Sequence, residues 1–295
     1  MEFPLFKARA SSAHTLLVES RSVSPKKKYI DTVDKISALK SRIATLKNTS
    51  SKSYQEASSK LNELEALLPS IESLRDEISL SKTALRTVRT FYAERMGVSK
   101  PIQNKYLKKG ILNEAESIEL AAGFLGWKGY HRITERKQDD FFTGIGDVEN
   151  ANSIDDIKNS WSFDTFPYWE EDLPDPQYKT QGQVYMHLYK KPLASVVYTL
   201  TDAPDCIVES EARRIAREMG IMFISDDDYT DFYMDVKKTL TFSHLPIEMR
   251  VKQFIFEKDD LVIEELIDRV EDARKYAEKH IKPIYTAWQQ SLLME

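Results

Sequence analysis

The sequence predicts an α/β protein: a small central mixed sheet flanked by helices, with a helical coiled-coil hairpin ahead of it. Three observations predict this. Apolar residues recur at heptad spacing from Ile36 to Val88, and past Gly97 the pattern switches to separate amphipathic helices alternating with short β-branched runs. The charge divides along the same line, since residues 1–109 hold 21 Lys and Arg against 11 Asp and Glu, whereas the remainder holds 21 against 36. A basic arm on an acidic body does not coat nucleic acid with its whole surface. It can grip a phosphate backbone locally, or dock on the body's own acids.

Residues 1–28 read as an irregular basic segment, 29–97 as the hairpin and 98–295 as the α/β domain with a C-terminal strand and long helix. In the hairpin, Ile36, Ile43, Ala57, Leu64, Ile71, Ile78 and Leu85 form one seam row, and Leu39, Leu46, Leu67, Leu74 and Val88 the other. The polar stretch 48–53 has turn composition, and Pro69 is expected to kink or restart the second helix. In the larger part, residues 109–126 read as an amphipathic helix closed by Gly126. Strand-like runs follow at 130–136, 141–149 and 154–160. An aromatic, proline-studded loop (161–177) precedes a helix from Tyr178, a β-branched run at 194–200, a helix at 209–220, a strand at 251–256 and a long charged helix from about Lys258.

Composition narrows the chemistry. The lone Cys206 excludes an internal disulfide, a cysteine-built zinc site and a four-thiolate cluster, and fits a reducing cytoplasm. No run approaches the ~18 apolar residues of a membrane helix. The N-terminal segment has too short an apolar centre for a signal peptide, and its scarcity of acids is only faintly that of a transit peptide.

The chemistry-bearing stretch is 144-GIGDVENANSIDDIKNSW-161. Along a strand, alternate residues share a face, so Asp156 and Lys158 project together while Asp155 and Ile157 turn the other way. If Asp147 lies beside Asp156, two carboxylates converge and must share a cation or a proton. Mg²⁺ is hard and is commonly held by one or two carboxylates with waters and phosphate, and a lysine on the same face can orient water aimed at phosphorus. Taken alone, a strand-edge salt bridge between Asp156 and Lys158, with Asp147 in a turn, is the more ordinary use of these residues. Glu114, one turn after Gly110, adds a carboxylate, and Gln181 and Tyr185 share a helical face with Gln183 on another.

Lys109-Gly110-x-x-x-Glu114, the G-x-G-D turn ending at Asp147, Asp156-Ile157-Lys158, and Gln181-x-x-x-Tyr185 occur in the order and spacing of a known family. Over about residues 100 to 280 the chain resembles the PD-(D/E)XK nucleases, specifically the phage λ-exonuclease and YqaJ-like viral recombinase group, related to the RecB nuclease domain. The resemblance implies a restriction-endonuclease-like core, with Asp147, Asp156 and the Ile157 carbonyl as Mg²⁺ (or Mn²⁺) ligands and Glu114 as a further ligand. Lys158 would position the nucleophilic water. Gln181 and Tyr185 would contact DNA or order the metal ligands, with Gln183 and Lys109 beside them at the DNA. The implied activity is an exonuclease that resects double-stranded DNA ends in phage-type recombination, in the bacterial host cytoplasm, with a single-strand annealing protein as partner and a ring-like homo-oligomer as assembly. Two other readings stay open: an endonuclease of the same fold in defence or repair, and a non-catalytic assembly protein whose business end is the hairpin.

Several residues carry plainer expectations. Arg132, Arg136 and Lys137 are candidate phosphate contacts or a solvated strand. Asp155 reads as solvated or salt-bridged, Glu149 as a turn acid, 226-DDDYTD-231 as an acid-rich helix start, and His131 and His187 as structural. Trp161, Phe163, Phe166, Tyr168 and Trp169 either stack on unpaired bases or cap the sheet.

Overall fold

The computed structural model describes residues 2–19, 25–46, 49–73, 80–99, 104–221 and 226–292. In chain order these form β1 (Ala8–Arg9), α1 (His14–Leu17), α2 (Pro25–Thr45), α3 (Lys52–Ser73), α4 (Lys82–Arg95) and α5 (Lys105–Leu125). Four short strands follow, β2 (His131–Arg132), β3 (Lys137–Gln138), β4 (Phe142–Gly144) and β5 (Val148–Glu149), then β6 (Ser153–Asn159). The rest is α6 (Pro176–Tyr189), β7 (Leu193–Thr199), α7 (Asp205–Met219), α8 (Asp226–Thr239), β8 (Val251–Glu257), α9 (Asp260–His280) and α10 (Lys282–Ser291). Among the described residues no helix is long and apolar enough to cross a membrane.

The chain divides into two compact units. One comprises residues 1–6, 15–97 and 268–295; the other, 7–14 and 98–267. This differs from the division read off the sequence, because the C-terminal residues group with the helices and Lys7–His14 with the sheets. Residues 1–28 are also less irregular than expected: Ala8–Arg9 is a strand and α2 begins at Pro25, whose missing N–H costs nothing in a first turn.

In the helical unit α2 and α3 pack along the heptad seam, burying Ile36, Ala57 and Ile71. Lys40 reaches Glu65 at 2.8 Å between the two helices. Leu67 is exposed rather than in the seam, and Leu74 and Ile78 lie outside the described residues, as does Asn48 of the polar turn. Pro69 neither ends nor restarts α3, which runs through it to Ser73. The break comes later, at Ser81, whose side chain accepts from Ala84 N at 3.1 Å and starts α4 as a new helix. Val88, from the old seam row, is fully buried on α4.

In the other unit a five-stranded mixed sheet has the order β2-β5-β6-β7-β8. Only β6 and β7 are parallel, with Asp156 opposite Val196 and Lys158 opposite Tyr198, and α6 supplies the crossover that a parallel pair needs. Asn104 caps the start of α5 and Gly126, in the left-handed region at φ 68°, closes it. One face of the sheet packs Ile157, Val197 and Val251 against Ala121 and Leu120 of α5. The opposite face carries Asp156 and Lys158 and is covered by α6. A second, three-stranded sheet, β1-β4-β3, was not expected; β1 joins β4 in parallel, Ala8 opposite Phe142.

Candidate functional site

Strand alternation does at β6 what the sequence requires. Asp156 and Lys158 project to the α6 side, where the Lys158 ammonium stands 2.6 Å from Asp156 Oδ2. Gln181 on α6 donates to Asp156 Oδ1 at 3.1 Å and to the Tyr185 hydroxyl at 2.8 Å, and Tyr185 in turn donates to the Ile145 carbonyl at 2.8 Å. Gln181 and Tyr185, both buried, are therefore ordering groups that connect Asp156 to the turn holding Asp147. That turn needs glycine at 144, because a Cβ there would stand 2.9 Å from the Tyr185 ring. Asp147 leans back over β6 and accepts from Ile157 N at 2.6 Å. An open cleft of about 690 Å³ joins these groups to Glu114, with Tyr106, Leu107, Ile111 and Trp161 forming an apolar wall.

The two carboxylates strain each other electrostatically. Burial, and after it the neighbouring Asp156 charge, push Asp147 well above the usual carboxylate range, with the Ile157 N–H and Lys158 opposing. Burial disfavours the Lys158 ammonium, but the Asp156 charge and hydrogen bond outweigh it and hold the pKa above the ordinary lysine value. Burial, then Asp156, also pushes the Tyr185 hydroxyl up, so it stays a neutral donor. Asp156 Oδ2 is buried, with the Lys158 ammonium beside it as its partner.

Hard oxygens crowded at one point with excess negative charge suit a divalent cation. Two carboxylates are in place, while the third candidate, Glu114, is turned away to Arg132 at 2.6 Å. Accordingly, among the described residues no group of three acidic, histidine or cysteine side chains surrounds one point. The donor set of Asp147 and Asp156, completed by water and phosphate oxygens, fits a hard divalent cation such as Mg²⁺.

Other expected site residues fall elsewhere. Lys109, expected beside DNA, is fully buried, its ammonium donating to the Ser160 carbonyl at 2.6 Å and to Trp161 O at 3.3 Å, and burial lowers its pKa to about 8. Gln183 is buried too, donating to Glu257 O at 2.8 Å and accepting from Asp259 N at 2.7 Å, which ties α6 to the end of β8. Asp155 is not solvated; it is fully buried and accepts from Asn150 at 2.7 Å, Ser153 at 2.9 Å and the Ser195 hydroxyl. Arg136 is exposed, and Lys137 lies over the Tyr189 ring at 4.2 Å. Glu149 pairs with Lys191, and His187 with Asp139 at 2.7 Å, while His131 is exposed on β2. Phe163, Phe166 and Tyr168 pack with Leu200 and Phe242, Trp161 meets Tyr106 edge-on at 5.2 Å, and Trp169 is exposed. Asp226 opens α8, as an acid-rich helix start should.

Two features were missed. Tyr178 lies under the Lys158 ammonium at 4.5 Å; its position three before Gln181, on the same helical stripe, was the available signal. A polar knot also joins α5 to the ends of β6 and β7. Asn113 donates to Thr201 at 2.6 Å, and Asn159 to Thr201 at 2.6 Å and Ser117 at 2.8 Å. The spacing of Lys109, Asn113, Ser117 and Ala121 marks this stripe, but it is too polar to read as a buried face.

A small mixed sheet with one parallel pair, helices on both faces, and acids with a lysine on a central strand define the α/β fold of this part of the chain. The fold is similar to that of the phage-related exonuclease from Haemophilus somnus 129PT, with a TM-score of 0.59 over 95% of this chain and 97% of that one, at 20% identity. Two structures of LHK-Exo are also similar: one in complex with dAMP (12% identity, TM-score 0.48, 96% of this chain and 94% of that), and one of the alkaline exonuclease LHK-Exo from Laribacter hongkongensis (14%, 0.48, 71% and 87%). No protein-family model and no curated protein sequence matches the chain.

Proposed function

We propose that the chain is a Mg²⁺-dependent deoxyribonuclease hydrolysing phosphodiester bonds, acting as an exonuclease on double-stranded DNA ends. The observation that carries this reading is the convergence of Asp147, Asp156 and Lys158 on one cleft, with Gln181 and Tyr185 ordering the acids from α6. The shared length with a phage-related exonuclease supports it. Mg²⁺, or Mn²⁺ in its place, supplies Lewis acidity toward the phosphoryl group and lowers the pKa of the attacking water. Asp147, Asp156 and the Ile157 carbonyl would hold the cation. Glu114, paired with Arg132 at 2.6 Å, would be a further ligand, and the Arg132 guanidinium would then be available to a phosphate. Lys158, kept as an ammonium, donates to the attacking water and holds it in line rather than taking its proton. Arg136 and Lys137 supply further phosphate contacts, and the apolar wall faces the bases.

A role in phage-type recombination, with a single-strand annealing protein and a homo-oligomeric assembly, belongs to the same proposal. The intact set of Glu114, Asp147, Asp156 and Lys158 speaks against a merely structural assembly protein, since one substitution would disable the site. The test compares linear duplex with closed circular DNA in Mg²⁺. Degradation of the linear form alone is expected. Cutting of the closed circle makes the protein an endonuclease of this fold, and no cleavage with Mg²⁺ or Mn²⁺ overturns the proposal.

A further inference from the structure

Lys158 has a second neighbour besides Asp156. The Tyr178 ring lies 4.5 Å from its ammonium, in the range of a cation–π contact. Helix geometry places it there: Asp175 caps α6, Pro176 opens it, and Tyr178 then begins the stripe that continues through Gln181 and Tyr185 over the Asp156 face of β6. The ring is braced from below. It meets Tyr198 edge-on at 6.5 Å, Tyr198 stands opposite Lys158 in the parallel register, and Tyr198 meets Phe254 on β8 at 5.9 Å. An aromatic row across β7 and β8 thus fixes the plane on which the ammonium rests.

The choice of an aromatic is chemically pointed. A lysine side chain has four rotatable torsions, and one carboxylate at 2.6 Å leaves its head able to swing about that contact. A second carboxylate would stop the swing but would add negative charge beside Asp147 and Asp156. A tyrosine face attracts the cation through its quadrupole, adds no full charge and accepts no proton from it. On the phosphodiesterase reading given above, we propose that Tyr178 is a positioning residue for the hydrolytic step: its ring, not its hydroxyl, aims the Lys158 ammonium into the cleft. Tyr178 therefore acts on turnover through Lys158 and makes no required contact with DNA.

The test uses the full chain with Tyr178→Phe and Tyr178→Leu, and two readouts. In metal-free protein labelled with ¹⁵N at lysine Nζ, the Lys158 ammonium protons carry an upfield ring-current shift in the wild type; Tyr178→Phe keeps it and Tyr178→Leu loses it. In Mg²⁺ on linear duplex, Tyr178→Leu lowers kcat roughly 3- to 30-fold with KM changed less than about 2-fold, whereas Tyr178→Phe stays within about 2-fold of wild type. Three results overturn the proposal: a Lys158 signal unmoved by Tyr178→Leu, a Phe variant as slow as the Leu variant, or a Leu variant that raises KM at constant kcat. A wild type that does not cleave DNA refutes the nuclease reading instead, and the ammonium signal still decides whether the ring holds Lys158.

Discussion

Asp155 and Asp156 are adjacent and both buried, yet Asp155→Ala should fail in stability and keep cleavage in its folded fraction, whereas Asp156→Ala should fail in cleavage. Asp155 lies on the α5 side of the sheet, away from the cleft, and accepts from Asn150, Ser153 and Ser195. Truncating it leaves three donors without their acceptor. Ser195 is 2% exposed and also receives Gln253 at 3.0 Å, so water does not reach it readily; a buried unpaired group of this kind costs about 2 kcal/mol. Asn150 and Ser153 are half-buried near the strand start and partly rehydrate, adding about 1 kcal/mol between them. The expected loss is ~3 kcal/mol. Asp156→Ala takes the acceptor from Gln181 and the counter-charge from Lys158 while relieving the repulsion on Asp147, effects of opposite sign on stability, and should abolish cleavage by the protein that is folded. Equilibrium urea unfolding with cleavage rates normalised to folded protein separates the two. An Asp155→Ala variant destabilised by under ~1 kcal/mol, or one that is folded but as inactive as Asp156→Ala, would refute this reasoning.

Three further outcomes follow from single contacts. Lys109 titrates at about 8 when folded, lowered by burial against the opposing charges of Asp202 and Glu116. The unfolded chain keeps that proton to about pH 10.4, so this group's contribution rises from pH 8 upward and is lost as pH falls through 8; from pH 7 to 10 wild type should gain about 2 kcal/mol relative to Lys109→Met, and parallel curves in urea titrations would contradict it. Ser81→Ala removes the cap of α4 and should cost about 1 kcal/mol in urea unfolding; no change would show that α4 does not depend on this cap. Arg132→Ala frees Glu114 and should tighten Mn²⁺ binding about 2- to 5-fold by calorimetry, because a half-exposed ion pair is a weak competitor; weaker binding would mean that Arg132 presents Glu114 rather than withholding it.

How far the sequence was legible depended on how local the cause was. Alternation along β6, the glycine turn before Asp147 and the Gln181–Tyr185 face are set within a few residues, and the geometry at each follows that pattern. Lys109 misled because K-G-x-x-x-E puts a cation near the acids in sequence, whereas the helix turns position 109 with Asn113 and Ser117 toward the sheet, where the ammonium donates to the Ser160 carbonyl. A polar buried stripe has no signature in hydrophobic periodicity. The pairing of Ala8 with Phe142 depends on register between distant segments, and nothing in either segment announces it. Pro69 was overweighted: helix interiors lose one hydrogen bond at proline, and packing on α2 outweighs it here.

The most direct measurement is cleavage of linear duplex DNA in Mg²⁺ by the wild type beside Asp156→Ala and Lys158→Ala, each first shown to be folded. The wild type should degrade the DNA, and each variant should lose on the order of a hundredfold or more of that activity, as expected when a ligand or a water-positioning cation is removed. A wild type inert in Mg²⁺ and Mn²⁺, or two folded variants that cleave as fast as the wild type, would contradict the assignment of this cleft as a nuclease site.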